Sequence, residues 1–272
     1  MVGLTLALVL GGCGESGEPV DNSPPDNTDA PVETGGESAE TKPTATPTDN
    51  GPEEEEQGED EDMTENITIN AQSSIRIQDG ERVIYADPFR ITDETHDADF
   101  VLITHDHYDH FSPEDIEKVA KPETILVVPG TMMGKTKEIA AAVGDIQMVK
   151  AGESGDIEGL AYETIPAYNV NKDYHPKSAG WVSYILTIGE KRIYIAGDTD
   201  MNPDNEKVKC DIAMVPIGGT FTMDAKEAAK LINRIRPEVA IPVHYGSVVG
   251  SKADADTFAK KVKEPVRVEI KI

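Results

Sequence analysis

Basic residues are scarce in this chain. Its 272 residues hold 25 Lys and Arg against 51 Asp and Glu, a formal charge of −26. No basic stripe breaks the acidity, which excludes nucleic acid as a partner, because neutralising phosphates takes clustered Lys and Arg. Cysteine is scarcer still, with only Cys13 and Cys210, so a disulfide framework is excluded. Cys210 stands just before the apolar run DIAMVP and reads as a small buried residue at a strand start, not as a nucleophile. Long apolar runs are missing as well. The one at the start, within MVGLTLALVLGGCGES, is too short to span a bilayer as a mature helix.

That opening run suits the apolar region of a secretory signal. Leu10-Gly11-Gly12-Cys13 is similar to the lipobox of secreted lipoproteins, in which the cysteine is lipidated and becomes the new N-terminus; no Lys or Arg precedes the run, which departs from that pattern. Residues 1–13 are thus expected to be a signal peptide with its lipobox. Between Gly14 and Asn66 lie 18 acidic residues, one Lys and seven Pro. Such a segment cannot offset the entropy of ordering, so residues 14–66 are expected to be a disordered, self-repelling tether. Together these features predict an extracytoplasmic protein held at the membrane by a lipid on Cys13.

Residues 67–272 make a domain of ordinary size, with strand-like and helix-like runs alternating. ITINAQSSIRI (Ile67 to Ile77) alternates as a strand, Asp79-Gly80 signals a hairpin, and RVIYAD (Arg82 to Asp87) returns. Ser112 caps a helix with Pro113 in its first turn. Further strands are expected at TILVVP, near Gln147 to Lys150, at Leu160 to Ile165, Trp181 to Ile188, Arg192 to Ala196, DIAMVP, EVAIPVH and VRVEIKI. Helices are expected at GKTKEIAAAV, at DAKEAAKLINRI with Thr222 as cap, and at ADADTFAKKV. This predicts an α/β (α+β) class with two strand layers and helices outside.

Histidine is rare, with six in the chain, yet three fall within ITHDHYDH directly after the apolar run FVLIT. In extended backbone, residues i and i+2 point the same way, so His105 and His107 can grip one metal ion. Asp109 and His110 follow as the chain turns towards Ser112, placed for a second ion. Imidazole and carboxylate are ligands of zinc and similar divalent ions. One loop is too small a donor set for two ions. Asp198 closes the strand RIYIAGD, His244 closes EVAIPVH, and His175 lies in the loop NKDYHPKSAGW. Asp198, Asp200, Asn202 and Asp204 imitate a calcium loop, but Pro203 and Lys209 stand where that loop needs Gly and Glu. His96 reads as a loop residue.

THDHYDH, IAGDTD and IPVHYG, in this order and at these separations, resemble the metallo-β-lactamase superfamily. ADFVLITHDHYDHFSPEDI, GDTD and PIGGTFTMDAKEAA look most like its UlaG-like branch of metal-dependent hydrolases. The resemblance implies a four-layer αββα sandwich with two divalent metal ions at one edge, zinc first and manganese or iron as alternatives. It implies that His105, His107 and a third histidine, placed at His175, hold one ion. Asp109, His110 and His244 hold the other, and Asp198 bridges. Two such ions would lower the pKa of a shared water to give hydroxide for attack on an ester, lactone or phosphodiester, with Asp109 as the catalytic residue that orients it or takes its proton. Tyr245, Thr199 and Lys177 are candidates for outer support because they neighbour the ligands. The expected substrate is a small or lipid-derived molecule, with the oligomeric state open. Two rivals are a non-catalytic metal- or ligand-binding lipoprotein and an iron redox protein; the latter's relatives carry a carboxylate where His107 stands and a flavin domain absent here.

Overall fold

The computed structural model describes residues 62–272. The signal peptide, the lipobox at Cys13 and most of the expected tether lie outside the described residues. The tether's expected last residues do not continue it: Met63–Asn66 form a short 3-10 turn capped by the Asp62 side chain, and Asp62 accepts from Arg267 at 2.6 Å.

Two sheets follow. The first has six strands in chain order, β1 (Ile67–Ile69), β2 (Ile75–Asp79), β3 (Arg82–Ala86), β4 (Ala98–Leu102), β5 (Ala120–Pro129) and β6 (Asp145–Val149). The second has seven: β7 (Ser154–Ile157), β8 (Leu160–Pro166), β9 (Val182–Ile188), β10 (Lys191–Ile195), β11 (Ile212–Pro216), β12 (Val239–Val243) and β13 (Arg267–Val268), also neighbours in chain order. Strands β3 to β6 run parallel, as do β10 to β13. Period-2 alternation builds the layers. Ile84 and Ala86 face a core shared with Leu186, Ile195, Met214 and Ile241 of the second sheet. Val83 and Tyr85 face outward onto Ile116 and Val119 of α1 (Pro113–Val119). On the far side Tyr194 and Val215 pack with Leu231 of α2 (Ala225–Ile235) and Phe258 of α3 (Lys252–Lys261). The order of layers is helix, sheet, sheet, helix, as expected.

Four local expectations are corrected. ITINAQSSIRI is two strands rather than one: the chain reverses through Gln72, in left-handed backbone, and β1 pairs antiparallel with β2. GKTKEIAAAV is not an α-helix but a run of tight turns with one 3-10 segment at Thr136–Glu138. There the Thr136 hydroxyl donates to the Met133 carbonyl at 3.0 Å, a local bond that competes with the helical ladder. The cap of α2 is Asp224, whose carboxylate accepts from the Lys226 and Glu227 amides at 2.8 Å, while the Thr222 hydroxyl turns to the Met223 carbonyl. The closing strand of VRVEIKI is two residues long.

Candidate metal centre

Apolar strands deliver polar residues to one edge of the sandwich. Asp87 follows β3, the loop from Ile103 to Ser112 follows β4, Asp198 follows β10 and His244 follows β12. All four positions lie beyond carboxyl ends of strands that take part in parallel pairing, the usual place for a site in such sheets. His175 comes from the connection between β8 and β9.

The seven expected residues meet there as two groups. His105 Nε2 lies 3.1 Å from His107 Nδ1. His175 Nε2 lies 3.2 Å from the same nitrogen and 3.2 Å from Asp198 Oδ2. These four side chains offer ligand atoms within 4.8 Å of one another. Asp109, His110 and His244 form a second such group, with His244 Nε2 3.5 Å and His110 Nε2 3.8 Å from Asp109 Oδ2. Asp198 touches both groups. Its Oδ1 is 3.3 Å from His110 Nε2 and its Oδ2 is 3.2 Å from His244 Nε2. All are buried except half-buried His107.

This donor set fits divalent cations. His110 Nε2, His244 Nε2 and Asp198 Oδ1 are buried without a hydrogen-bond partner, a costly state for groups that hydrogen-bond strongly. All three face the centre, where a cation would satisfy them together. Imidazole and carboxylate without thiolate suit zinc, manganese or iron.

The surroundings set each ring's tautomer. Asp87 is fully buried and sequence reasoning missed it. Its carboxylate accepts from the Thr104 amide at 2.8 Å, the Thr104 hydroxyl at 2.6 Å and His110 Nδ1 at 2.7 Å. A proton held on Nδ1 leaves Nε2 of His110 as a lone pair facing the centre. With its hydrogen given to Asp87, the Thr104 oxygen, 3.0 Å away, can accept from His105 Nδ1. The Phe221 carbonyl, at 3.1 Å, does the same for His175 Nδ1. His107 turns its Nδ1, not its Nε2, towards the others. The signal for Asp87 was present: a carboxylate closes the apolar strand RVIYAD as Asp198 closes RIYIAGD.

Electrostatics in the bare cluster favour positive charge. Burial opposes protonation of His110, yet Asp198 and Asp87 hold its pKa well above the histidine range. Burial is likewise outweighed at His244, which Asp198 and Asp109 push up to about 9. Burial would raise Asp198, but His244 and His110 hold it well below the carboxylate range. Burial, with His110 adding to it, lowers His105 well below the histidine range, and burial with His175 lowers His107.

Residues 66–244 match the family described as the beta-lactamase superfamily domain. The chain belongs to the metallo-β-lactamase superfamily. A metal-dependent hydrolase of Aeropyrum pernix is 31% identical over 232 residues, covering 75% of this chain and 93% of that protein. One of Methanopyrus kandleri is 33% identical over 176 residues, covering 62% and 75%. Among solved structures, a candidate metal-dependent hydrolase of Parabacteroides distasonis aligns with a TM-score of 0.63 at 29% identity, over 75% of this chain and 91% of that one. The expectation of a metal-dependent hydrolase of the metallo-β-lactamase superfamily holds at that level.

Outside the ligand set the expectations fared unevenly. Lys177 lies away from the centre, 57% exposed and 2.8 Å from Asp204, because that carboxylate captures it. The Tyr245 hydroxyl points to the Ile272 carbonyl at 3.4 Å. Thr199 is buried and donates to the Tyr168 carbonyl at 2.9 Å, fixing the loop behind Asp198 rather than entering the centre. The calcium-like carboxylates diverge, Asp200 to Lys172 and Asp204 to Lys177. Burial pushes the Cys210 thiol up to about 12, consistent with an inert cysteine. His96 sits apart, its Nδ1 2.9 Å from the Ala120 carbonyl. A cleft of about 260 Å³ opens over the centre, and Tyr108, Tyr174, Phe221 and Val248, none of them singled out in sequence, share its lining with the ligand set.

Proposed function

We propose that this metal-dependent hydrolase of the metallo-β-lactamase superfamily works with two ions, zinc first among the candidates, on an ester, lactone or phosphodiester bond. The observation that carries the reading is the placement of Asp198, within 3.2–3.3 Å of His175, His110 and His244. His105, His107 and His175 would hold one ion, Asp109, His110 and His244 the other, and Asp198 both. Bound there, the ions supply Lewis acidity and a nucleophile from water near neutral pH.

The chain's own groups do the rest. Asp109 lines the cleft beside His107 and His244. Burial would raise its carboxyl, but the contact to His244 and the nearby His110 hold it below the usual range. It therefore stays a proton acceptor at neutral pH, fit to orient the attacking water or take its proton. Trp181 packs against His105 and His107 with ring centroids 5.0 Å away and screens the first group from solvent, which strengthens electrostatic interactions inside.

The same reading places the domain outside the cytoplasm, as residues 67–272 of a chain with a signal at 1–13, a lipid on Cys13 and a tether from 14 onward. Its support is the short apolar run, the lipobox-like string and the acidic stretch of the sequence. Cys13→Ser should release the protein from membranes and abolish incorporation of labelled palmitate. For the enzyme itself, metal content is measured on the purified chain beside turnover of ester and phosphodiester substrates, with and without chelator. Two equivalents and chelator-sensitive turnover are expected. A loaded chain with no turnover would favour the binding-protein alternative.

A further inference from the structure

The cleft is apolar away from its metal-facing floor. Tyr108, Tyr174, Phe221 and Val248 line it, and no Lys or Arg among the described residues does. Lys135 pairs with Asp106 and Lys172 with Asp200, while Arg90, the cation at the rim, lies 5.3 Å over the Phe89 ring and bonds the Ser247 hydroxyl rather than entering the lining. Tyr108 is 65% and Tyr174 50% exposed. Large aromatic rings left open around a concave site are a common mark of ligand contact.

These rings are also fixed in place. Tyr108 sits between His107 and Asp109, and Tyr174 directly precedes His175. Phe221 packs edge-on against Tyr174 at 4.8 Å, and Tyr108 against Phe89 at 5.9 Å. The carbonyl of Phe221 accepts from Asn169 Nδ2 at 2.6 Å and contacts His175 Nδ1. The residue that fixes a ligand's tautomer thus also holds an apolar ring over the cleft. Whatever bond is cleaved above the centre must have its flanking group against these rings.

We infer that the substrate is a carboxylic ester or lactone with an apolar acyl chain, not a phosphorylated compound; this rests on the hydrolase reading above. A phosphate away from the reacting atoms would need a cationic partner that the lining does not offer. In the reaction, water oxygen bonds to the acyl carbon and the bond from that carbon to the alcohol oxygen breaks. One water proton goes to the departing oxygen, and the other is released as the carboxylate forms. At the ~30 Å³ a water occupies in the liquid, the cleft has room for about eight heavy atoms, so a medium acyl chain fills it.

The test uses the full chain with metal content determined on the same sample. Turnover of 4-nitrophenyl acetate, butyrate, hexanoate and decanoate is compared with bis(4-nitrophenyl) phosphate. kcat/KM should rise by about threefold to fourfold per buried methylene up to hexanoate and level off before decanoate, with the phosphodiester at least about a hundredfold slower than hexanoate. Tyr174→Ala and Phe221→Ala should each lower the ratio of hexanoate to acetate. As a readout apart from turnover, hexanoate should perturb the fluorescence of Trp181, the chain's one tryptophan, at lower concentration than inorganic phosphate does. A flat chain-length series, or a phosphodiester turned over faster than the esters, would overturn the inference and leave the hydrolase reading standing. A metal-loaded chain that cleaves neither class would overturn both.

Discussion

Asp87 offers the sharpest test of how the centre is held, because Asp87→Asn changes the chemistry without changing the shape. The carboxylate is fully buried and receives three donors: the Thr104 amide, the Thr104 hydroxyl and His110 Nδ1. An asparagine has one acceptor oxygen and one donor nitrogen in the same space. If the oxygen stays with the Thr104 amide, the nitrogen faces His110 Nδ1, which can then only accept. The imidazole proton must move to Nε2, the orphaned atom that faces Asp198 and His244. If the amide flips, its nitrogen meets the Thr104 amide donor to donor. Either arrangement costs a hydrogen bond, and the first removes a ligand lone pair. Losing an outer partner of this kind lowers metal affinity by about 10- to 100-fold, or ~1.4–2.8 kcal/mol. The loss should fall chiefly on the group with Asp109 and His244. The assay is a competition titration of the metal-free chain with zinc against a chelator, followed by Trp181 fluorescence, since that ring lies 5.0–5.5 Å from three of the histidines. Circular dichroism melting checks that the fold persists. Binding of both equivalents within about threefold of wild type, in a folded variant, would refute the argument.

Further outcomes are expected from the same geometry. His175→Ala should reduce bound metal from two equivalents to about one or fewer, measured by elemental analysis; two equivalents unchanged would remove His175 from the centre. Gly197 has a φ of +60° and its Cβ would stand 2.8 Å from Thr104 Cβ, so Gly197→Ala should push Asp198 and Thr104 apart, weaken metal binding and lower the melting temperature. In the metal-free protein His110 and His244 bind protons more tightly than in the unfolded chain. Their contribution to stability is therefore complete below the unfolded histidine value of about 6.5 and is lost as pH rises towards 9. Urea melts of the metal-free chain should weaken over that window. Metal loading should instead increase with pH, because the ion displaces those protons.

The candidate ligands were legible because all but His175 stand where an apolar strand ends or in the loop that follows it, and because ITHDHYDH gathers half the histidines. The strands within TILVVP, DIAMVP and EVAIPVH were legible as short apolar runs, and their burial follows, whereas their parallel pairing shows only in the structure. What escaped depends on partners distant in sequence. Asp87 is one acidic residue among 51 until the fold sets it 2.7 Å from His110, 23 residues on. The apolar rim gathers Tyr108, Tyr174, Phe221 and Val248 from four separate segments, and no local pattern joins them. ITINAQSSIRI kept its alternation on both sides of the turn, so periodicity could not show that the chain reverses at Gln72. In GKTKEIAAAV, helix-favouring residues lost to side-chain bonding at Thr136 and to the pull of Ile139 into the core.

The backbone around the centre explains why so much of the sandwich is needed to support so few ligands. Gln72, Asp87, His175 and His244 are four of the eight non-glycine residues in left-handed backbone among the described residues, and Gly197 adds a fifth such position beside Asp198. Each non-glycine instance costs about 1–3 kcal/mol unless its surroundings enforce it. At Asp87, Gly197 and His244 the chain has just left β3, β10 or β12 and must turn at once if the next polar groups are to reach the centre. The enforcing bonds are visible. The Asp87 amide donates to the Leu102 carbonyl at 2.9 Å, and the His244 amide donates to the Gln72 carbonyl at 2.8 Å, tying the end of the second sheet to the first hairpin of the other. The turn at Gln72, invisible in the pattern of its strand, is thereby a support for His244. A bound metal would hold the same atoms from the side opposite the packed sheets. Removing the ions should therefore loosen these strand ends before the core, and amide exchange at Asp87 and His244 should rise on chelation while exchange at Val101 and Ile241 does not.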